Sequence, residues 1–282
     1  MNDGDSKSAV ITGAASGIGR ALAVAWARRG WKIGIADIDM EGAERTLGMV
    51  EQVGGMGDVF NCDVSNLDDV QAMADHFFAA WGKVDIIVNN AGIAVLGFIG
   101  DVPAEELQRI IDINLWGVIY GCHAFIPRMK EQGGGHIVNL ASSAGIVCMS
   151  EMGPYNITKT SVISLSETLK AELAPDDIGV TVVCPMFINT DIQNTASCTT
   201  EWESEVLQNA CGRARMTTEE VAQRIVRAVD NNRLYLFPQL SAKLFWAIKR
   251  VSPGGFHWLF ANLNRVGWLK PIFYTISKIG WF

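Results

Sequence analysis

At 282 residues, with 49% hydrophobic and 19% charged side chains, the chain can bury one large α/β core, and its composition excludes disorder as the main state. Its net charge of −7 is unevenly placed: residues 231–282 hold no Asp or Glu but carry Arg233, Lys243, Lys249, Arg250, Arg265, Lys270 and Lys278, so that +7 there leaves −14 for residues 1–230. Six cysteines lie at least 13 residues apart with no C-x-x-C pair and four histidines are scattered, which points to reduced structural thiols and to no metal site.

The chain starts "MNDGDSKSAVITG", with two acids and no apolar stretch of signal-peptide type, so a cytoplasmic origin is expected. Short Val/Ile-rich runs then alternate with segments of helical spacing. Strands are predicted at 8–12, 32–37, 57–63, 84–90, 135–142, 179–185 and 234–237, and helices near 18–30, 40–53, 66–81, 103–131, 154–174 and 218–230. Near-continuous apolar strands are buried on both faces. The pattern therefore predicts an α/β fold, a Rossmann-type doubly wound parallel sheet of about seven strands with helices on both faces. An amphipathic helical extension is expected at the C-terminus, dividing the chain into residues 1–238 and 239–282. Ligands of such sheets sit beyond the carboxyl ends of the strands.

The strand ends carry the motifs. "TGAASGIG", Thr12 to Gly19, follows the first strand and opens the first helix, where Gly13, Gly17 and Gly19 let backbone amides approach a pyrophosphate. Asp37 closes the second strand, 18 residues after Gly19; an acid there accepts hydrogen bonds from ribose hydroxyls and repels a 2′-phosphate, which favours NAD over NADP. Asp39 reads as a cap for the helix that follows. "CDV" (62–64) ends the third strand, with Asp63 a candidate for an adenine amino group, and "NNAG" (89–92) ends the fourth, lining the middle of a dinucleotide.

In "GPYNITKTS" (153–161), Tyr155 and Lys159 stand four apart and share a helix face. A free phenol, with a pKa of about 10, is a poor base at neutral pH. A neighbouring ammonium favours the phenolate, and with it proton transfer to or from a substrate oxygen. TGxxxGxG at 12–19, NNAG at 89–92, Asn114 in "NLWG", Ser142 in "ASSAG" and Tyr155-x-x-x-Lys159 together resemble the short-chain dehydrogenase/reductase family in its single-domain form, over roughly residues 8–236. The resemblance implies an NAD-dependent alcohol dehydrogenase or ketone reductase. Its catalytic set would be Asn114, Ser142, Tyr155 and Lys159, with Ser142 rather than Ser143 on the substrate oxygen, Lys159 also on the nicotinamide ribose, and Asn114 anchoring a water. It extends the cofactor set from Gly13, Gly17, Gly19, Asp37 and Asp63 to Ser16, Ile18, Val64, Asn90, Ala91, Gly92, Pro185, Ile188 and Thr190, besides Tyr155 and Lys159. It also implies a homodimer or homotetramer built through helices 103–131 and 154–174.

One departure is visible: "CPMFINTD" has Met186 where the family usually has glycine, which alters the pocket floor. Ile146, Val147, Cys148, Met149 and Met152 offer an apolar wall, and Trp202, Val206 and Leu207 fit an amphipathic lid helix. Residues 231–282 hold 12 of the 25 aromatics beside the seven basic residues, with Leu240, Leu244, Phe245, Ile248 and Val251 along one helical face. Interspersed charge and proline argue against a spanning helix. Short basic, aromatic helices suit a membrane interface, and the competing expectation is a cover over the active site or a subunit contact. Membrane attachment favours an apolar substrate of lipid, steroid or retinoid type; a soluble 3-oxoacyl-thioester reductase and a silent NAD-binding scaffold are the alternatives. The acidic body and the lack of a recognition motif exclude nucleic acid.

Overall fold

The computed structural model describes residues 6–280. In chain order the elements are β1 (Ser8–Thr12), α1 (Gly17–Ala27), β2 (Lys32–Asp37), α2 (Met40–Gln52), β3 (Met56–Asn61), α3 (Leu67–Trp81), β4 (Ile86–Asn89), β5 (Val95–Leu96), α4 (Ala104–Ile111), a π-helical turn (Asp112–Trp116), α5 (Gly117–Glu131), β6 (Gly135–Leu140), α6 (Ala144–Val147) and α7 (Gly153–Glu172). There follow β7 (Ile178–Val183), α8 (Ile192–Thr195), β8 (Ser197–Cys198), α9 (Glu201–Gly212), α10 (Thr218–Asp230), β9 (Tyr235–Leu236), α11 (Leu240–Val251), α12 (Pro253–Arg265) and α13 (Leu269–Ile279).

Seven strands form one parallel sheet in the order β3-β2-β1-β4-β6-β7-β9. Side chains alternate across it. Val10, Ile87, Ile137 and Val180 enter a core with α3, α5 and α7, whereas Ile11, Ile35, Val88 and Val138 enter a second core with α1, α2 and α10. Burial on both faces explains why the strands read as unbroken apolar runs. Strand addition runs outward from β1 to β3 and then resumes on the other side at β4, so β1 and β4 flank the point where a crevice opens.

The predicted helix 103–131 is interrupted. The π-helical turn at Asp112–Trp116 inserts between α4 and α5, and turns of this kind recur at functional sites. Asp39 caps α2, its carboxylate accepting from Gly42 N at 2.9 Å. The expected lid helix forms as α9, with a reciprocal Thr200/Glu203 capping box.

Candidate active site

Two cavities meet at the C-terminal edge of the sheet. The first, a cleft of about 660 Å³, runs from Gly13, Gly17 and Asp37 past Asp63 and Val64 to Asn90, Ala91, Gly92 and Lys159, and includes Ser16, Ile18, Pro185 and Thr190. It has a backbone floor that tolerates no added carbon. Gly13 has φ +64°, and a Cβ there would lie 2.7 Å from Ala91 Cα; a Cβ on Gly19 would lie 2.3 Å from Gly13 O. Asn90 clamps this turn, its Nδ2 donating to the carbonyls of Thr12 (2.8 Å) and Gly13 (2.9 Å). Asp37 holds its carboxylate at the cleft while accepting from Ala15 N (2.9 Å) and Asp39 N (3.0 Å). Asp63 also lines the cleft, but its Oδ1 already accepts from both the amide and the hydroxyl of Ser65. Arg20, Arg45 and Arg109 line the cleft as well. Arg20 is bound to Thr46 and to Ala15 O, Arg45 pairs with Glu41 and Asp39, and Arg109 pairs with Glu106.

Ile188 takes a different place from its cleft-lining companions. It is buried in the α1/α10 core and borders the second cavity.

Tyr155 and Lys159 project from the first turns of α7, which begins with Gly153-Pro154; Pro is well suited to a helix start because it lacks the donor that would be unsatisfied there. Lys159 Nζ lies 5.7 Å from the Tyr155 ring centroid and donates to Leu140 O at 2.8 Å. Burial pushes the phenol up to about 12, with the hydrogen bond from Ser142 acting the other way, and burial pushes the Lys159 ammonium down to about 8. At neutral pH Tyr155 is therefore a proton-bearing phenol and Lys159 a cation. Ser142, at the end of β6, accepts from Ala144 N at 3.1 Å and lies 3.4 Å from Pro185 O.

Asn114 sits in the π turn and is fully buried. Its side chain bonds both sides of one peptide unit's neighbourhood, accepting from Ile93 N (2.8 Å) and donating to Ile93 O (2.9 Å). It therefore fixes the loop segment that follows "NNAG". Gly92 is hemmed in by it: a Cβ there would stand 3.1 Å from Asn114 Oδ1 and 3.4 Å from Lys159 Nζ.

The second cavity, about 330 Å³, shares Ile18, Tyr155, Pro185, Thr190 and Ile192 with the cleft. Tyr155 stands at the junction with Ser142 in the wall of the second cavity, and among the described residues no charged side chain lines the rest. Val147, Met149 and Met152 form the wall expected of them, whereas Ile146 belongs to the core and Cys148 faces Lys249 and Thr160. Leu207 of α9 also borders this cavity; Trp202 and Val206 border a smaller one beside it.

Much of the remaining wall comes from the C-terminal helices: Phe245 of α11, Phe260 and Leu263 of α12, and Leu269, Ile272, Phe273 and Ile276 of α13. Met186 joins the tail to the site. Its amide donates to Gln239 Oε1 (3.1 Å), and Ser241 Oγ lies 3.0 Å from its sulfur. The tail is held to the body by Lys249 on Ile146 O, by Tyr274 on Glu205 (2.7 Å), by Arg213 on Lys278 O, and by the Lys270–Glu151 pair (3.0 Å). Neither the tail's lining residues nor Gln239 and Glu151 were recognisable beforehand. Amphipathic spacing marks a helix as two-sided but does not tell which side meets a cavity.

These features agree with known proteins. A family model described as short chain dehydrogenase matches residues 7–201, more than half of the chain. SadH of Mycobacterium tuberculosis (strain ATCC 25618 / H37Rv) is 32% identical over 93% of this chain and 96% of its own length. EphD of the same strain is 41% identical over 66% of this chain, but the match spans only 31% of EphD. A Burkholderia phymatum short chain dehydrogenase/reductase solved in complex with NAD superposes with a TM-score of 0.84, at 32% identity, covering 89% of this chain and 95% of that one. The glycine turn below Asp37, the Tyr155/Lys159 helix and a match that runs from β1 through β7 to the start of α9 converge on one conclusion: the chain belongs to the short chain dehydrogenase family.

Proposed function

We propose that the protein is an NAD-dependent oxidoreductase that interconverts an apolar secondary alcohol and its ketone. The observation that carries this reading is the junction of the two cavities at Tyr155: a glycine-floored cleft on one side and, on the other, a chamber lined by no charged side chain of the described residues. The cleft fits a dinucleotide. Gly13, Gly17 and Gly19 leave room for a pyrophosphate at the start of α1, Asp37 would receive the adenosine ribose, Asn90 to Gly92 would border the middle, and Lys159 and Thr190 stand at the nicotinamide end. Bound there, the nicotinamide would accept or supply the hydride.

The protein's own residues handle the proton and the oxygen. In reduction Tyr155 donates its phenolic proton to the carbonyl oxygen and becomes a phenolate, and in oxidation it is this phenolate that takes the hydroxyl proton; Ser142 holds that oxygen in place. Lys159, charged at neutral pH, stabilises the phenolate left behind. Asn114 is a positioning residue, keeping Ile93 and the adjoining "NNAG" end in register with Lys159. The apolar chamber would exclude water and take a lipid-, steroid- or retinoid-like body.

Residues 1–238 form the catalytic unit in this reading and residues 239–282 its cover. The cover's outer surface is apolar and basic, which fits a peripheral contact with an anionic membrane, and six free cysteines fit a reducing, cytoplasmic compartment. A homodimer or homotetramer would bury Trp116 and Ile157, both exposed beside the helices through which the family commonly assembles.

The decisive experiment is Tyr155→Phe. Turnover with NAD on linear and cyclic secondary alcohols should fall at least about 10³-fold with NAD affinity unchanged, since the ring is kept and only the proton carrier is lost. Retained turnover would overturn the role of Tyr155. NAD binding by the wild type without turnover on any alcohol would instead favour a silent scaffold.

A further inference from the structure

Ser142 and Ser143 are consecutive and both line the second cavity, but the fold uses only one of their hydroxyls. Ser142 Oγ accepts from Ala144 N (3.1 Å) and lies 3.4 Å from Pro185 O. Ser143 is held by its backbone alone: its amide donates to Pro185 O at 2.9 Å, and its carbonyl accepts from Ile146 N (3.0 Å) and Val147 N (2.8 Å). Its hydroxyl has no hydrogen-bond partner among the described residues. A serine at the start of a helix ordinarily turns its oxygen back onto the first amides. Ser143 precedes α6 with angles that are already helical (φ −60°, ψ −22°), and its side chain caps nothing.

The residue is 6% exposed, and its oxygen opens to the cavity rather than being sealed inside the protein. Val147, four positions on, lines the same cavity, as a shared helical face requires. Beyond Ser142, Tyr155, Thr190 and Cys211, the rest of that cavity's wall is apolar. A purely apolar ligand seated against Ser143 would strip its hydroxyl of water and leave it unpaired, which is costly in such a wall. A ligand that carries a second oxygen there restores the bond. Pockets with a polar group placed in this way reject analogues that lack its partner.

We propose that Ser143 sets substrate specificity by binding a second, non-reacting oxygen close to the reacting one. The α-carbons of Ser142 and Ser143 are one peptide apart, about 3.8 Å. With the reacting oxygen at Ser142 and Tyr155, an oxygen on Ser143 belongs to the carbon next to the reacting one or to the carbon after that. The substrate class thereby narrows to apolar secondary alcohols and ketones with a hydroxyl or carbonyl one or two carbons from the reacting centre; this rests on the apolar-alcohol reading above. A serine hydroxyl donates and accepts, so it serves either group.

The test uses NADH and four ketones: the linear ten-carbon methyl ketone and its 3-hydroxy, 4-hydroxy and 10-hydroxy derivatives. kcat/KM is measured for the wild type and Ser143→Ala, with calorimetric binding of each ketone to the NADH-loaded protein. The ketones differ in intrinsic reactivity, but that difference cancels when the preference for a hydroxylated ketone over the plain one is compared between the two proteins. For the 3-hydroxy or the 4-hydroxy ketone this preference should be about 10-fold larger in the wild type, and for the 10-hydroxy ketone it should be the same in both. The melting temperature and NADH affinity of Ser143→Ala should match the wild type, because the lost hydroxyl bonds nothing in the fold. A preference that survives Ser143→Ala, an equal loss for the 10-hydroxy ketone, or a lowered melting temperature overturns the role of Ser143 and leaves the proposed function intact. Ketones that bind without turning over are judged by the same comparison of affinities. Failure of the wild type to bind or reduce any of the four overturns both readings.

Discussion

Buried polar residues show how single side chains divide between structure and chemistry. His136 is buried on β6, and its ring nitrogen Nε2 lies 2.8 Å from Thr181 Oγ1, which itself donates to Arg233 O at 2.7 Å. With its one hydrogen committed, Thr181 can only accept, so His136 is the neutral tautomer with its proton on Nε2. Burial pushes its pKa down to about 4, with nearby Lys170 acting in the same direction. Between pH 4 and the unfolded value near 6.5, the unfolded chain therefore binds a proton that the folded one refuses, and stability falls as pH falls through that window. Denaturant titrations should show the advantage of the wild type over His136→Gln shrinking by ~2 kcal/mol from pH 7 to pH 5. An unchanged difference would mean that the folded protein accepts the proton. Tyr155 and Lys159 are perturbed by burial too, but at the junction of two cavities. Burial therefore carries a functional reading there and a structural one at His136.

Among the elements, the three C-terminal helices have two working faces. Phe245, Phe260 and Phe273 turn inward to the chamber, whereas Leu240 (81% exposed), Val251 (88%), Trp258 (68%) and Trp268 (65%) turn outward. The helical face traced in the sequence by Leu240, Leu244, Ile248 and Val251 is thus the outer one, and Phe245 departs from it to join the cavity wall. Exposed Lys243, Arg250 and Arg265 lie on the same helices. At 12, 13 and 11 residues each, α11, α12 and α13 are shorter than a bilayer span, so a surface contact is the geometry they suit. Full-length protein should co-sediment with anionic vesicles at low salt, bind less at high salt and bind weakly to neutral vesicles. Trp258→Ser combined with Trp268→Ser should reduce binding several-fold without changing NAD affinity. No sedimentation with either vesicle would make the outer face a contact between subunits.

At the scale of the whole molecule, the candidate site is assembled from parts far apart in sequence. Gly13, Asn90, Ser142 and Met186 follow neighbouring strands of the sheet, Asn114 comes from the π turn and Tyr155 from α7, and the tail closes over them from the far end of the chain. The body and tail carry opposite charge, and their contacts include the Lys270–Glu151 and Tyr274–Glu205 pairs. The cover is thus complementary to its own protomer. Light scattering should give a dimer or tetramer at micromolar concentration; a species that remains monomeric throughout would remove helices α4, α5 and α7 as an assembly surface.

The parallel sheet, the dinucleotide turn and the Tyr155/Lys159 pair were all legible in the sequence because each depends on local rules. Doubly buried strands are apolar throughout, a pyrophosphate needs glycines between a strand and a helix, and a four-residue spacing puts two side chains on one helix face. Three other features required the tertiary structure. The π turn that seats Asn114 has no spacing signal, and the two backbone partners that Asn114 finds there, Ile93 N and Ile93 O, lie 21 residues away in sequence. Which face of the tail meets the second cavity is set by its docking on the body, through contacts such as Met186 N on Gln239 Oε1, between positions 53 residues apart. Glu151 and Lys270 become an ion pair only when α13 docks on the body. Periodicity reports that a helix has two faces, but only packing against distant residues decides what each face touches.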